Sequence, residues 1–324
     1  MIYSGKSTSD TGDSVMIGSS QFNSKYWDPT YVGYKYNESF SLHEDNGTTR
    51  YTWFTNTQKY NYGTGYTFDE STRKFTLTGD IKQLTWTDNH DEIVSNKLYS
   101  CLNTSCNVVY KVTGYSDATT MIVQPISYSS NSLVDAQTNT TDSLIKTKLD
   151  SWYQSNLTNY TSYLADTTFC SDRSISSGSG YLTTPTTLYG AYTRLYDKKT
   201  PSLKCSQDND KFKMSNESAK LDYPVGLILA DEVALAGGRS YYNGAYSPNS
   251  NYYLYNGKYF WTLSPSGFYS DSSLACVWFV VPSGSLYPWD GVATSFGVRP
   301  VINLKANTLI TKGDGSSINP YIVQ

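Results

Sequence analysis

The strongest helical period in this 324-residue chain is confined to one stretch. Between Thr141 and Leu157, the apolar side chains Leu144, Ile145, Leu149, Trp152 and Tyr153 recur at three- and four-residue steps. The spacing predicts one amphipathic helix, with Thr141 or Asp142 as its N-cap. A shorter helix is expected over 230–236, where Gly237-Gly238 would stop it. Elsewhere the pattern is that of short strands. Residues 31–36, 74–78, 107–112 and 120–124 alternate or run apolar between Gly, Asp and Pro. These signals predict an α+β chain with mainly antiparallel sheets and one long helix. The expected organisation is a flexible, polar lead-in over 1–25, a β-rich N-terminal region over 26–130, and a final domain over 131–324.

Charge narrows the partners. Charged residues make up 16% of the chain and the net charge is -3, with no cluster of Lys and Arg. A polyanion needs a basic stripe, so nucleic acid is not an expected partner. The chain instead carries 31 Tyr among many Ser, Thr, Asn and Gly. Tyrosine joins rigid contact area to a polar tip, and the small polar residues adapt their hydrogen bonds, as in binding loops. Tyr and Thr also favour strands, so part of this bias belongs to the fold. Ser/Thr-rich composition and paired cysteines point to an exported protein. Cys101 with Cys106, and Cys170 with Cys205, are expected disulfides in an oxidising compartment, which leaves Cys276 free. Met1 leads directly into polar residues, with no leader or spanning segment, so any membrane anchor is expected outside this chain.

Catalytic and metal motifs are weak. Gly5-Lys6-Ser7 resembles the tail of a phosphate loop but lacks the upstream glycine and the preceding strand. Asp231 and Glu232 are adjacent on a helix and point apart, so they serve the helix start better than acid/base work. The two histidines, His43 and His90, sit among turn residues and offer no triad. The cysteine spacing does not suit zinc, and Asp314-Gly315 lacks the alternating carboxylates of a calcium loop. No enzyme activity, cofactor or metal is expected. Arg299 lies in an apolar run and is expected to be buried and hydrogen-bonded, a structural residue.

The run 296–304, Phe-Gly-Val-Arg-Pro-Val-Ile-Asn-Leu, follows Tyr-Phe-Trp-Thr-Leu-Ser-Pro-Ser at 259–266. Together they resemble the closing signature of C-type-lectin-like domains of the formylglycine-generating-enzyme subtype. In particular they resemble an uncharacterised family of Gram-positive surface proteins, some with pilin-like N-termini. Arg194, Pro201–Cys205, the 221–228 run, Asp231-Glu232 and the ending from Gly313 to Tyr321 fit the same order. The resemblance covers about 140–324, with a looser echo at 66–69 and at Cys101/Cys106.

The resemblance implies a lectin-like fold whose ligand face precedes the Gly-x-Arg-Pro element. It also implies a recurrent target of diversity-generating retroelements, which mutate adenine-templated codons near the C-terminus. Between Pro265 and Gly297 the candidate ligand residues are Phe268, Tyr269, Ser270, Asp271, Ser272, Trp278, Tyr287, Trp289 and Asp290. Most of these residue types, Trp excepted, are reachable from Asn codons, and Cys276 falls in the same window. Phe268, Tyr269, Trp278, Tyr287, Trp289 and Asp290 are expected on one exposed face. The function so implied is an extracellular, cell-surface, adhesin-like protein that binds a host or bacterial surface protein or glycan. A structural pilus or surface-layer subunit is the alternative. The oxidase branch of the fold uses a reactive cysteine pair or copper, and Cys276 has no near partner in sequence.

Overall fold

The computed structural model describes residues 1–6, 9–26, 28–37, 132–181, 185–240, 254–272 and 274–314. It also describes five strands between 66 and 126, Asn319, and the short strand Ile322–Val323. Cys101, Cys106, His43 and His90 lie outside the described residues. The chain is mixed α+β, with mostly antiparallel sheets and few helices.

The central sheet is built around a hairpin of Phe260–Tyr269 against Leu274–Val280. On one side lies Ser295–Gly297, then Ser19–Gln21; on the other lie Ser285–Tyr287 and Arg239–Ser240. Thr187–Tyr189 and Ile175–Ser177 extend it along the far half of the Phe260–Tyr269 strand. The hairpin is covered on both faces, and its residues sort by alternation, as a pleated strand requires. Phe268, Ala275, Val277 and Phe279 enter a large core with Phe22, Tyr31, Trp261 and Phe296. Phe260, Trp278 and Val280 enter a second core with Tyr192, Leu195, Val233 and Leu286. A separate five-stranded antiparallel sheet has the order Tyr66–Asp69, Lys74–Leu77, Thr120–Ile126, Val109–Asp117, Leu98–Ser100.

The long helix runs over Leu144–Asn156 and buries Ile145, Leu149 and Tyr153 against the large core. Its N-cap is Ser143, whose hydroxyl accepts from Lys146 N, two residues beyond Thr141 and one beyond Asp142, the two caps expected. Asp142 is instead paired with Lys35 and Lys146, and Leu144 is exposed at the rim. Lys146 is fully buried, and its ammonium contacts Asp142, Asp150 and Asp222 at 2.9, 2.6 and 2.9 Å. The three carboxylates that lie close enough to hold a metal ion are thus already gathered around an internal cation. The short helix Ala230–Leu235 closes where expected, with Gly237 at φ 106° and Gly238 N donating to Val233 O.

Two expectations for the N-terminal part are corrected. Residues 1–25 are not a free lead-in. Ile2 bridges Val301, Ile17 N donates to Val298 O, Ser19–Gln21 pairs with Ser295–Gly297, and Phe22 is fully buried. Tyr31, Val32, Tyr34 and Tyr36 join the same large core, so the segment up to residue 37 packs with 132–304, not with a separate N-terminal unit. Residues 31–36 are also not one strand. Asp28 caps a 3-10 turn over Pro29–Val32 by accepting from Thr30 N, and only Lys35–Tyr36 is extended. Asp28 before Pro29 is the local signal that outweighs the alternation.

Candidate ligand-binding site

Eight of the nine residues expected to bind ligand fall into three groups; the ninth, Tyr269, is partly buried against the second core rather than openly exposed. The tip of the central hairpin presents Ser270, half-exposed, with Asp271 and Ser272 exposed. The tip is pinned by Thr186, whose hydroxyl lies 2.9 Å from Ser270 Oγ and accepts from Ser270 N, and by Asp271 Oδ1, which accepts from Ser272 N. The second group follows Ser285–Tyr287. Tyr287, Trp289 and Asp290 are half-exposed there. Asp290 Oδ1 accepts from Gly291 N at 2.9 Å and from Thr294 Oγ1 at 2.6 Å, an arrangement that fixes the turn carrying Trp289.

Phe268 and Trp278 form the third group and correct the expectation of exposure. Both are at 0% exposure. The Leu274–Val280 strand is sandwiched between the two cores, so neither of its faces reaches water. Phe268 packs in the large core, and Trp278 lies 6.3 Å from Tyr192 in the second. Neither side chain can contact a ligand unless the sheet opens. Cys276 is also buried, and it is the one free cysteine among the described residues; burial pushes its thiol well above the usual range, with Asp290 adding to the shift.

Tyr192 and Tyr196 were absent from the sequence-based site, and they link its parts. They ride on a helical turn over Gly190–Tyr192 that widens into a π-turn over Thr193–Asp197. Such widened turns are rare and are frequent at functional sites. The two rings stack at 4.9 Å. Tyr196 meets Trp289 at 5.1 Å and 76°, and Trp289 meets Tyr287 at 5.1 Å and 84°. On the other side Tyr192 touches Tyr269 at 6.5 Å. The result is a continuous aromatic row, Tyr269–Tyr192–Tyr196–Trp289–Tyr287. Burial pushes the Tyr192 phenol up to about 12, with Tyr196 and Asp197 adding and a hydrogen bond with Trp289 opposing. Burial also raises the Tyr269 phenol, with Cys276 and Tyr192 adding. Both phenols therefore stay protonated at neutral pH, and the row offers π-faces and hydrogen-bonding tips without charge. The i, i+3, i+7 spacing of Tyr189, Tyr192 and Tyr196 is the sequence signal that could have placed them on one helical face.

The turn that carries Tyr196 is anchored by ion pairs. Arg194 bonds Asp172 at 2.6 Å and makes a two-pronged contact with Asp231 at 3.0 and 2.9 Å. Asp231 also accepts from Ser202 N. Nearby, Arg173 and Asp210 are both buried and joined at 2.7 Å. The disulfide Cys170–Cys205 ties the strand before Asp172 to the loop after Thr200, with Cα atoms 5.9 Å apart. Arg299 lies away from the row, at 2% exposure. Its guanidinium donates to Tyr3 O, Leu254 O and Ser4 Oγ and rests 5.1 Å from the centre of the Phe260 ring.

No family model, no curated protein and no solved structure matches this chain.

Proposed function

We propose that this chain is a non-enzymatic, extracellular ligand-binding protein of a bacterial cell surface, adhesin-like, with a C-type-lectin-like domain in its C-terminal part. The observation that carries the reading is the half-exposed aromatic row of Tyr196, Trp289 and Tyr287, held by an ion-paired π-turn and by the Asp290 turn. Large aromatic side chains on rigid supports are the usual anchors of recognition surfaces. Tyr287 and Trp289 lie just before the Gly297–Pro300 element, where the resemblance puts the ligand face. The Cys170–Cys205 disulfide is compatible with an extracellular setting, and no helix among the described residues is long and apolar enough to cross a membrane. The ligand is a host or bacterial surface protein or glycan. If the window is diversified, the burial of Phe268, Cys276 and Trp278 confines useful variation to the hairpin tip and to Tyr287, Trp289 and Asp290.

One observation favours the alternative of a pilus or surface-layer subunit. Leu157, Tyr160, Tyr163, Leu164, Ile302 and Leu304 line an apolar groove of about 410 Å³, and Tyr160 and Tyr163 are exposed there. An exposed apolar groove suits subunit contacts.

The test is retention of the purified chain on intact bacterial and mammalian cells and on a glycan panel, for the native protein and for Trp289→Ala. Retention that falls at least tenfold in a variant with unchanged circular dichroism supports the reading. Retention that is equal in both proteins, or absent on every surface, overturns it.

A further inference from the structure

The ring of Tyr196 already carries a cation. Lys199 Nζ lies 5.0 Å from its centroid, and the same ammonium donates to the Tyr196 carbonyl oxygen. It reaches that position because Lys199 has φ 55°, the one positive φ at a non-glycine position among the described residues. L side chains rarely adopt this backbone conformation, so it is strained. Lys199 is itself exposed, and partial burial of its ammonium holds it below the usual lysine range, with Asp197 opposing. Trp289 stands at 76° to Tyr196, with the ring centroids 5.1 Å apart, so a second π-system adjoins the Tyr196 ring. Cations are drawn to the faces of Tyr and Trp by the ring quadrupole.

We propose that the face of Tyr196, beside Trp289, is a recognition subsite for an alkylammonium group, the lysine side chain of a protein ligand, with Lys199 as its built-in competitor. The inference rests on reading the aromatic row as the binding face, and it selects a lysine-bearing protein over a neutral glycan. A neutral ligand stacking on the same ring would gain no charge interaction when Lys199 is removed. A cationic ligand would gain the vacated position.

The experiment titrates the full chain with n-butylammonium chloride and, separately, with the neutral alcohol n-pentanol, following the indole N–H resonance of Trp289. Lys199→Gly frees the ring and relieves the backbone. It should tighten n-butylammonium binding by about two- to fivefold, the worth of an exposed cation–π contact, and leave n-pentanol unchanged. In the Lys199→Gly background, Tyr196→Phe should keep the gain and Tyr196→Leu should lose it. An absent gain, an equal gain for n-pentanol, or a gain that survives Tyr196→Leu overturns the proposal. Cell retention of Trp289→Ala reads the binding face independently. If retention falls while the ammonium titration is flat, only the ligand class is wrong; if both are flat, the face itself is wrong.

Discussion

Trp289 meets Tyr196 ring to ring at 5.1 Å and 76°, joining a turn of the central sheet to a π-turn from the middle of the chain. Such edge contacts contribute about 0.5–1.5 kcal/mol beyond burial. Tyr196→Ala and Trp289→Ala should therefore be non-additive in stability by about that amount, in a double-mutant cycle measured by chemical denaturation. Strict additivity would mean that the two rings are neighbours without coupling.

Arg299→Ala should destabilise the protein. The substitution strands two backbone carbonyl oxygens and the Ser4 hydroxyl, and each buried group left without a partner costs about 1–3 kcal/mol. A lower melting temperature is the expected result. An unchanged melting temperature with lost ligand binding would move Arg299 from the scaffold into the site.

The disulfide closes a separation of 35 residues. Replacing Cys170 and Cys205 by Ser should cost about 3–4 kcal/mol on the loop-entropy model. Non-reducing peptide mapping should recover the Cys170–Cys205 pair, with Cys276 alkylated only after denaturation, since its thiol is buried. A peptide joining Cys276 to another cysteine would contradict this pairing.

Asp166 makes stability depend on acid pH. Its carboxylate accepts from Met214 N at 2.7 Å and Ser215 N at 2.9 Å. Burial pushes its pKa up, but the bonds from Ser215 and Met214 and the charge of Lys213 outweigh it and set the folded value below 3.8. A depressed carboxylate contributes stability that is present above 3.8 and is lost as pH falls through the folded value. Asp166→Asn should cost about 1 kcal/mol at neutral pH, a modest figure because the group is exposed. It should also flatten the loss of stability below pH 4. The same acid slope in both proteins would count against the assignment.

Much of this architecture is legible in the sequence where one residue type answers one local demand. Ile145, Leu149 and Tyr153 mark the helix by their spacing, and Gly237 marks the end of the next helix by its free φ. The site was less legible. The apolar run 275–280 looks the same whether one face or both are covered, so the burial of Trp278 depends on partners far away in sequence. Tyr196 and Trp289 meet only through the fold, which local pattern does not encode. The first 25 residues are polar because their docking is largely main-chain pairing, as at Ile2 and Ser19–Gln21, and such pairing leaves little trace in hydropathy.

The bridge between Ile2 and Val301 is antiparallel, with Tyr3 N donating to Pro300 O and Ile302 N donating to Met1 O. The N-terminal end of the first segment and the C-terminal end of the second therefore lie on the same side of the pairing. Tension drawn between them would load these hydrogen bonds one after another, as a zipper is opened, rather than all together in shear. A tether on one of the two segments alone would bypass the bridge and leave it unloaded. The placement of attachment points thus decides whether mechanical load reaches the core that carries the aromatic row.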